Sequence, residues 1–222
     1  MVLASGPTGS GKTTTLYTIL NILNTPEVNI STVEDPIEYR MVRVNQSQIN
    51  PKIGFSFASG LRALLRQDPN IIMVGEIRDQ ETAEIAAHAA MTGHLVLSSI
   101  HTNDAISTVM RLSEMDVPNF LIASTVNLVI AQRLVRKICP HCVQSYTLTD
   151  AQLDDVKKQY DVDQIMQGFS KLNEDLSEVH SLKDITFFRG AGCTRCFDTG
   201  YKGRVGIYEI FELTPAASQL IL

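Results

Sequence analysis

Residues 6–13 of the chain read GPTGSGKT and match the pattern G-x-x-x-x-G-K-[ST]. A segment of this kind turns its backbone N–H groups inward around phosphate groups, and it needs a strand before it and a helix after it. The apolar residues MVLAS precede it, and a helical pattern from Thr13 to Leu23 follows. We therefore predict a nucleoside triphosphate site in which Lys12 contacts the β- and γ-phosphates and Thr13 binds Mg²⁺. The expected nucleotide-binding residues are Gly6, Pro7, Thr8, Gly9, Ser10, Gly11, Lys12, Thr13 and Thr14.

The first part of the chain alternates short apolar runs with helical patterns, which is typical of an α/β domain with a largely parallel sheet. The predicted strands are residues 1–5, 29–35, 70–76 and 94–101, and the predicted helices are residues 13–23, 57–67, 81–93, 104–115 and 119–138. From Cys139 onward the pattern becomes irregular and charged. There, Thr149 and Gln152 predict a capped helix, residues 184–190 and 204–213 read as strands, and residues 214–222 begin a helix.

Carboxylates follow two of the predicted strands. Glu76 comes after four apolar residues and Gly75, and Glu34 and Asp35 end the second strand. Open α/β sheets bind their ligands at these strand ends. Glu76 is therefore a candidate for holding Mg²⁺ through water, and one carboxylate of this group is a candidate for polarising the attacking water. The alternative for any one of them is a solvated loop residue.

The four cysteines form two C-x-x-C pairs, Cys139 with Cys142 and Cys193 with Cys196. Four thiolates in this arrangement make a closed tetrahedral Zn²⁺ site. The 50 residues between the pairs exceed the usual finger spacing, and disulfides are the alternative. A reducing compartment, expected for a protein that consumes ATP, favours the metal. His141 is a less favoured substitute ligand.

The composition argues against two classes of partner. A net charge of -5 and an isoelectric point near 5.5 disfavour nucleic acid, which is bound by clustered Lys and Arg. The longest nearly apolar stretch, FLIASTVNLVIA from Phe120, is too short and too polar to cross a bilayer. No signal peptide is recognised at the start of the chain.

Four ordered motifs resemble those of the secretion ATPase superfamily, the hexameric motors of type II secretion and type IV pili. GPTGSGKTTTLY resembles its Walker A motif and STVEDPIEY its aspartate box. GLRALLRQDPNIIMVGEIRDQETA resembles the Walker B region and TGHLVLSSIHTNDA the histidine box. The resemblance covers essentially the whole chain.

This resemblance implies roles for individual residues. Glu76 would be the Walker B glutamate, Glu34 the catalytic base with Glu38 nearby, and His101, together with His94, a sensor of the γ-phosphate. Arginines at matching positions of the family cluster around the triphosphate, some of them donated by a neighbouring subunit. In this sequence they are Arg62, Arg66, Arg78 and Arg111, of which the first two are four residues apart on one predicted helix.

The resemblance also implies the domain organisation. We expect residues 1–138 to form a RecA-like P-loop core with a mixed, mostly parallel sheet, truncated at its N-terminus. Residues 139–203 would form a tetracysteine zinc-binding subdomain. Residues 204–222 would add a strand and the truncated start of a helix.

The implied function is ATP hydrolysis by a cytoplasmic homo-hexamer at the inner face of the bacterial inner membrane. It would push on an inner-membrane platform protein and so drive assembly of type IV pili or type II secretion pseudopili. The tetracysteine element resembles that of assembly motors and favours assembly over retraction. The alternatives are a P-loop nucleic-acid translocase or zinc-bearing DNA-binding module, and a fragment that binds nucleotide without turnover.

Overall fold

The computed structural model describes residues 1–172 and 181–222, so residues 173–180 of the predicted cysteine subdomain lie outside the described residues. The chain divides into two compact units. One consists of residues 1–134 and 206–222, and the other of residues 135–205. The C-terminal segment, which the sequence sets apart as a separate region, is thus part of the first unit.

Strands and helices alternate along the first unit, as the sequence predicts. The described strands are β1 (Val2–Ser5), β2 (Ile30–Glu34), β3 (Val44–Gln48), β4 (Ile71–Val74), β5 (Leu95–Ile100), β6 (Leu128–Ile138), β7 (Val143–Tyr146), β8 (Phe187–Gly190) and β9 (Tyr201–Glu212). The described α-helices are α1 (Lys12–Leu23), α2 (Phe57–Leu64), α3 (Gln80–Met91), α4 (Ala105–Glu114), α5 (Asn119–Thr125), α6 (Asp150–Gln159), α7 (Val162–Leu172) and α8 (Pro215–Ile221).

Seven strands form one sheet in the order β3-β2-β4-β5-β1-β6-β9. The pairs β2–β3, β2–β4, β4–β5, β1–β5 and β1–β6 are all parallel. The predicted α/β fold with a mostly parallel sheet is therefore confirmed. Helices cover both faces of the sheet, since α3 packs in one apolar cluster and α1 in the other.

The interior strand β4, third of the seven, shows how the core is divided. Its four residues are all buried, as expected for a parallel strand covered on both faces. Ile72 and Val74 belong to the apolar cluster that includes α3, whereas Ile71 and Met73 belong to the cluster around α1. Because successive side chains point to opposite faces, an unbroken apolar run is what such a strand requires.

The predicted helix over residues 119–138 is wrong. Helix α5 ends at Thr125, and β6 begins at Leu128, where it pairs with Val2 of β1. The run is short and rich in β-branched residues, so its apolar pattern fits a buried strand as well as a helix. The free edge of β1 decides between them, because its backbone groups need partners.

β3 was not predicted. Its sequence, VNQSQ, is polar and half exposed, so it carries no strand pattern. It forms because residues 44–48 pair in parallel with residues 30–34 at the edge of the sheet.

The second unit contains the antiparallel pair β7–β8 and helix α6. The side chain of Thr149 accepts from the backbone N–H of Gln152, and the side chain of Gln152 accepts from the N–H of Thr149, so the predicted capping box is confirmed. No helix within the described part of the chain is long and apolar enough to cross a membrane.

Candidate functional site

The carboxyl ends of four neighbouring strands carry the predicted site residues. The phosphate loop follows β1, Glu34 ends β2, Glu76 follows β4, and His101 follows β5. These strands are consecutive in the sheet and parallel. The fold therefore brings the Walker A, aspartate box, Walker B and histidine box segments to one edge of the sheet.

The phosphate loop between β1 and α1 contains three glycines with positive φ. The values are 137° at Gly6, 78° at Gly9 and 93° at Gly11, in the region that favours glycine. A Cβ at Gly9 would meet nothing within 4 Å, so the space beside this part of the loop is open. The buried hydroxyl of Ser10 has no hydrogen-bond partner among the described residues. The open space beside Gly9 and the unpaired hydroxyl of Ser10 both fit the binding of a phosphate group.

Lys12 lies across this loop. Its side-chain Nζ donates to the carbonyl oxygen of Gly6 at 2.7 Å and to that of Pro7 at 3.3 Å. Burial lowers the pKa of Lys12 from its ordinary value, and the nearby charge of Glu76 opposes that shift. Two neutral carbonyl oxygens therefore hold the side chain of Lys12 at the loop, and a phosphate oxygen can replace them.

Glu76 is held in place through its neighbours. The N–H of Gly75 donates to the carbonyl of Val33 on β2, and the hydroxyl of Ser99 on β5 donates to the carbonyl of Gly75. These bonds fix the backbone just beyond β4 to the strands on both sides. The side chain of Glu76 remains 12% exposed, so it can reach a ligand at the sheet edge.

Two basic side chains contact the Glu76 carboxylate. Nη2 of Arg78 lies 2.5 Å from one oxygen, and Nε2 of His101 lies 3.4 Å from the other. The hydrogen bond to Glu76 raises the pKa of Arg78. The histidine box is thus joined directly to the Walker B carboxylate.

Glu34 has a different environment, since it is only 2% exposed. Its carboxylate accepts hydrogen bonds from the hydroxyls of Tyr17 and Thr32 and, at 3.1 Å, from Nε2 of Gln46. Burial raises the pKa of Tyr17, and the bond to Glu34 raises it further. Glu38, by contrast, is exposed.

The two candidate Mg²⁺ ligands lie at the same edge of the sheet. Thr13 is exposed in the first turn of α1, and Glu76 follows β4. A hydroxyl and a carboxylate oxygen are hard donors of the kind that Mg²⁺ prefers. The residues present therefore fit the ion that accompanies a nucleoside triphosphate.

His94 lies away from the site. It precedes β5, and His101 follows that strand, so roughly 20 Å of extended chain separates them. Nδ1 of His94 is 2.9 Å from the carbonyl oxygen of Ala89 in α3. The expectation that His94 joins His101 as a phosphate sensor is wrong, because the two residues lie at opposite ends of β5.

The four candidate arginines do not all lie at the site. Arg62 pairs with Glu81 at 2.5 Å and Arg111 with Glu114 at 3.1 Å, all exposed. Arg66 lies in a short 3-10 turn, Leu65–Gln67, that continues directly from the end of α2 at Leu64, so the α-helix is shorter than predicted. Of the four, and within the described residues, Arg78 is the arginine in contact with a candidate catalytic carboxylate.

The cysteines come together in the second unit. The Sγ atoms of Cys139, Cys142, Cys193 and Cys196 all lie within 4.8 Å of one another. The distances from Cys139 to Cys193 and from Cys142 to Cys196 are both 3.9 Å, too long for disulfides. Zinc bound at about 2.3 Å from each of four sulfurs would set them about 3.8 Å apart, so the cluster fits a tetrahedral Zn²⁺ site. His141 instead faces Arg195.

Sequence reasoning missed residues that support the site, among them Thr32, Gln46, Tyr17 and Gln132. Tyr17 binds Glu34, and the side chain of Gln132 donates to the carbonyl of Ser10 in the phosphate loop. The prediction of one helix over residues 119–138 hides Gln132, because it does not place that segment beside β1. A single amide within the apolar run LVIAQRLV, interpreted as a strand beside β1, was the available signal.

Known proteins that resemble this chain point in one direction. The family model described as "Type II/IV secretion system protein" matches residues 1–222. The chain is 51% identical over 222 residues to the type IV pilus assembly ATPase PilB of Acinetobacter baylyi, covering 100% of this chain and 35% of that protein. It is 47% identical over 221 residues to the type II secretion system ATPase E of Vibrio cholerae, covering 100% of this chain and 40% of that protein. The chain thus spans well under half the length of these relatives.

Solved structures agree with this. The pilus retraction motor PilT with bound ADP has a TM-score of 0.58 and 42% identity, covering 63% of this chain and 43% of that one. The ATPase DotB of Legionella pneumophila has a TM-score of 0.55 and 31% identity, covering 77% of this chain and 51% of that one. The family model matches residues 1–222, and the phosphate loop and the acidic strand ends agree with it. The chain therefore belongs to the type II/IV secretion system protein family.

Proposed function

We propose that this chain is the nucleotide-hydrolysing part of a hexameric motor ATPase that powers the assembly of type IV pili or type II secretion pseudopili. The observation that carries the proposal is the convergence of the phosphate loop, Glu34, Glu76 and His101 at one edge of a parallel sheet. Its relatives named PilB and type II secretion ATPase E support the motor function. In this proposal the motor works at the cytoplasmic face of the inner membrane and pushes on a membrane platform protein.

Each residue at the site has a chemical task in this proposal. The loop N–H groups and Lys12 bind the phosphates, while Thr13 and Glu76 hold Mg²⁺, which supplies charge neutralisation when bound. Glu34 accepts the proton of the attacking water. His101, already 3.4 Å from Glu76, donates to the γ-phosphate side of the site.

The arginines explain why a ring is required. Arg62, Arg66 and Arg111 are exposed and make no contact with Glu34 or Glu76 that the structure describes. In this proposal these exposed side chains serve the nucleotide of a neighbouring subunit, and Arg62 and Arg111 give up their surface pairs with Glu81 and Glu114. A donated arginine can raise turnover about 10³- to 10⁵-fold. The site within one chain is then incomplete.

The proposal predicts that ATPase activity per subunit rises with protein concentration, because assembly supplies the donated arginines. Phosphate release is measured from well below to well above the concentration at which oligomers appear by light scattering. Lys12→Ala is the negative control at every concentration, and added DNA is expected to leave the rate unchanged. A specific activity that stays flat while oligomers form would contradict the shared site.

The cysteine cluster has a separate task. We propose that it binds structural Zn²⁺, because four protein ligands close the coordination shell and leave no position for a reacting group. The clustering of the four sulfurs within 4.8 Å supports this assignment.

A further inference from the structure

Gln132 is a buried amide beside the phosphate loop that the functions assigned above leave unexplained. It lies on β6 and is 3% exposed. Its Nε2 donates to the carbonyl oxygen of Ser10 at 2.9 Å, and its Oε1 accepts from the hydroxyl of Thr15 at 2.9 Å. One side chain thus bonds both to the loop and to the first turns of α1.

The backbone and side chain of Gln132 also lie against two of the loop glycines. A Cβ built on Gly6 would come within 2.3 Å of the carbonyl oxygen of Gln132, and one built on Gly11 within 3.2 Å of its Nε2. Both ends of the loop, at Gly6 and Gly11, therefore pack closely against Gln132. Side chains at these two positions would push the loop away from β6.

The bond to Ser10 acts on the orientation of one peptide unit. In a trans peptide the carbonyl of one residue and the N–H of the next point in opposite directions. Because Gln132 holds the Ser10 carbonyl toward β6, the N–H of Gly11 points in the opposite direction, away from β6. N–H groups turned inward in this manner are what a phosphate loop uses to bind the phosphates.

We propose that Gln132 is a positioning residue that presets the Ser10–Gly11 peptide for phosphate binding. The proposal rests on the nucleotide-binding function proposed above. Without the amide donor, the Ser10 carbonyl would lose its buried hydrogen-bond partner. The Ser10–Gly11 peptide would then be able to rotate and form hydrogen bonds with other groups. Part of the binding energy of the nucleotide would then be spent on ordering the loop.

The test compares three variants of the chain by isothermal titration with Mg–ATP and with ADP. Gln132→Met removes both side-chain bonds at nearly constant volume. Gln132→Glu keeps an acceptor for Thr15 but turns an oxygen toward the Ser10 carbonyl. Thr15→Val is the matched control, since it removes the bond to α1 and leaves the bond to the loop.

We expect both Gln132 variants to bind ATP and ADP about 10- to 100-fold more weakly, the range of one unsatisfied buried hydrogen bond. Thr15→Val is expected to stay within about threefold of the unmodified chain. In the NMR spectrum, the Gly11 amide of the unmodified chain should shift on addition of ADP, and in Gln132→Met that shift should shrink.

A purely structural role predicts another result. The melting temperature of the nucleotide-free protein would fall in the Gln132 variants. Their affinities for nucleotide, measured well below that temperature, would equal those of the unmodified chain. That result would overturn the proposal. Failure of the unmodified chain to bind nucleotide would instead overturn the proposed function itself, and the inference with it.

Discussion

Glu34 and Glu76 have the same side chain and opposite surroundings. Glu34 is buried among three hydrogen-bond donors, whereas Glu76 is partly open and faces Arg78 and His101. An ionised carboxylate offers about four acceptor positions, so Glu34 keeps roughly one for a water molecule. Its orientation is fixed before any substrate arrives, which suits a base that must meet water in one geometry.

The base role of Glu34 predicts that Glu34→Gln lowers kcat by about 100-fold or more, within the range of a lost general base. Affinity for ATP should change little, because the phosphate loop is intact. The two quantities are measured by phosphate release and by titration with ATP.

Glu38→Gln is the matched control, since Glu38 is an exposed carboxylate of the same segment. Its turnover is expected to stay close to that of the unmodified chain. If Glu38→Gln loses turnover and Glu34→Gln keeps it, the base is Glu38 and Glu34 serves to position its segment.

The residue types at this edge were predictable, and their partners were not. Polar residues directly after apolar strands identify Glu34 and Glu76 from the sequence, because strand ends are where such sheets bind ligands. The donors to Glu34 come from three separate elements, α1, β2 and β3. One of these, β3, has no strand pattern, so no local signal places Gln46 beside Glu34.

At the scale of elements, the hydroxyl of Tyr17 joins α1 to β2. Tyr17 is fully buried, donates to Glu34, and accepts from the N–H of Glu38 at 3.3 Å. Its ring meets that of Tyr39 edge-on, with centroids 4.5 Å apart. The helix that begins at the phosphate loop is thereby tied to the segment that carries the candidate base.

This tie predicts that Tyr17→Phe lowers the free energy of unfolding by about 1–3 kcal/mol, since it removes a buried donor from a carboxylate. Urea denaturation measures the change. Tyr39→Phe is the control, because Tyr39 is 57% exposed and its hydroxyl can be replaced at little cost. Equal stabilities for Tyr17→Phe and the unmodified chain would show that the bond contributes nothing net.

The segment of residues 119–138 shows where element-level prediction fails. Its apolar run suits a helix or a strand, and the outcome depends on whether a neighbouring strand has a free edge. In the folded chain that edge belongs to β1, more than a hundred residues earlier. The same error concealed Gln132, which contacts the phosphate loop only because the segment is a strand.

At the scale of the whole molecule, the chain separates its two chemistries. The nucleotide site residues lie in the unit of residues 1–134 and 206–222, and the four cysteines lie in the unit of residues 135–205. Each group of site residues thus lies within a single unit, and the arginines proposed to complete the nucleotide site come from a neighbouring subunit. The cysteine cluster is therefore proposed to have a structural task, and the carboxyl ends of the strands a chemical one.

This separation predicts that chelation loosens residues 135–205 and leaves nucleotide binding largely intact. Limited proteolysis after treatment with a zinc chelator is expected to give new cuts in that unit. Titration with ADP is expected to give an affinity within about threefold of the untreated chain, because the loop hydrogen bonds do not involve the metal. Parallel loss of zinc and of nucleotide binding would mean that the second unit supports the first.

The sequence by itself determined the phosphate loop, the parallel α/β fold, the acidic strand ends and the two cysteine pairs. These depend on local spacing, on periodicity and on the preferences of glycine, which act between residues close in the chain. Tertiary structure alone decided that residues 128–138 form a strand, that His94 lies away from the site, and that Gln132 and Tyr17 support it. Those outcomes depend on strand pairing and on buried hydrogen bonds between residues that are far apart in the chain. Such long-range pairing has no signature in a local sequence pattern.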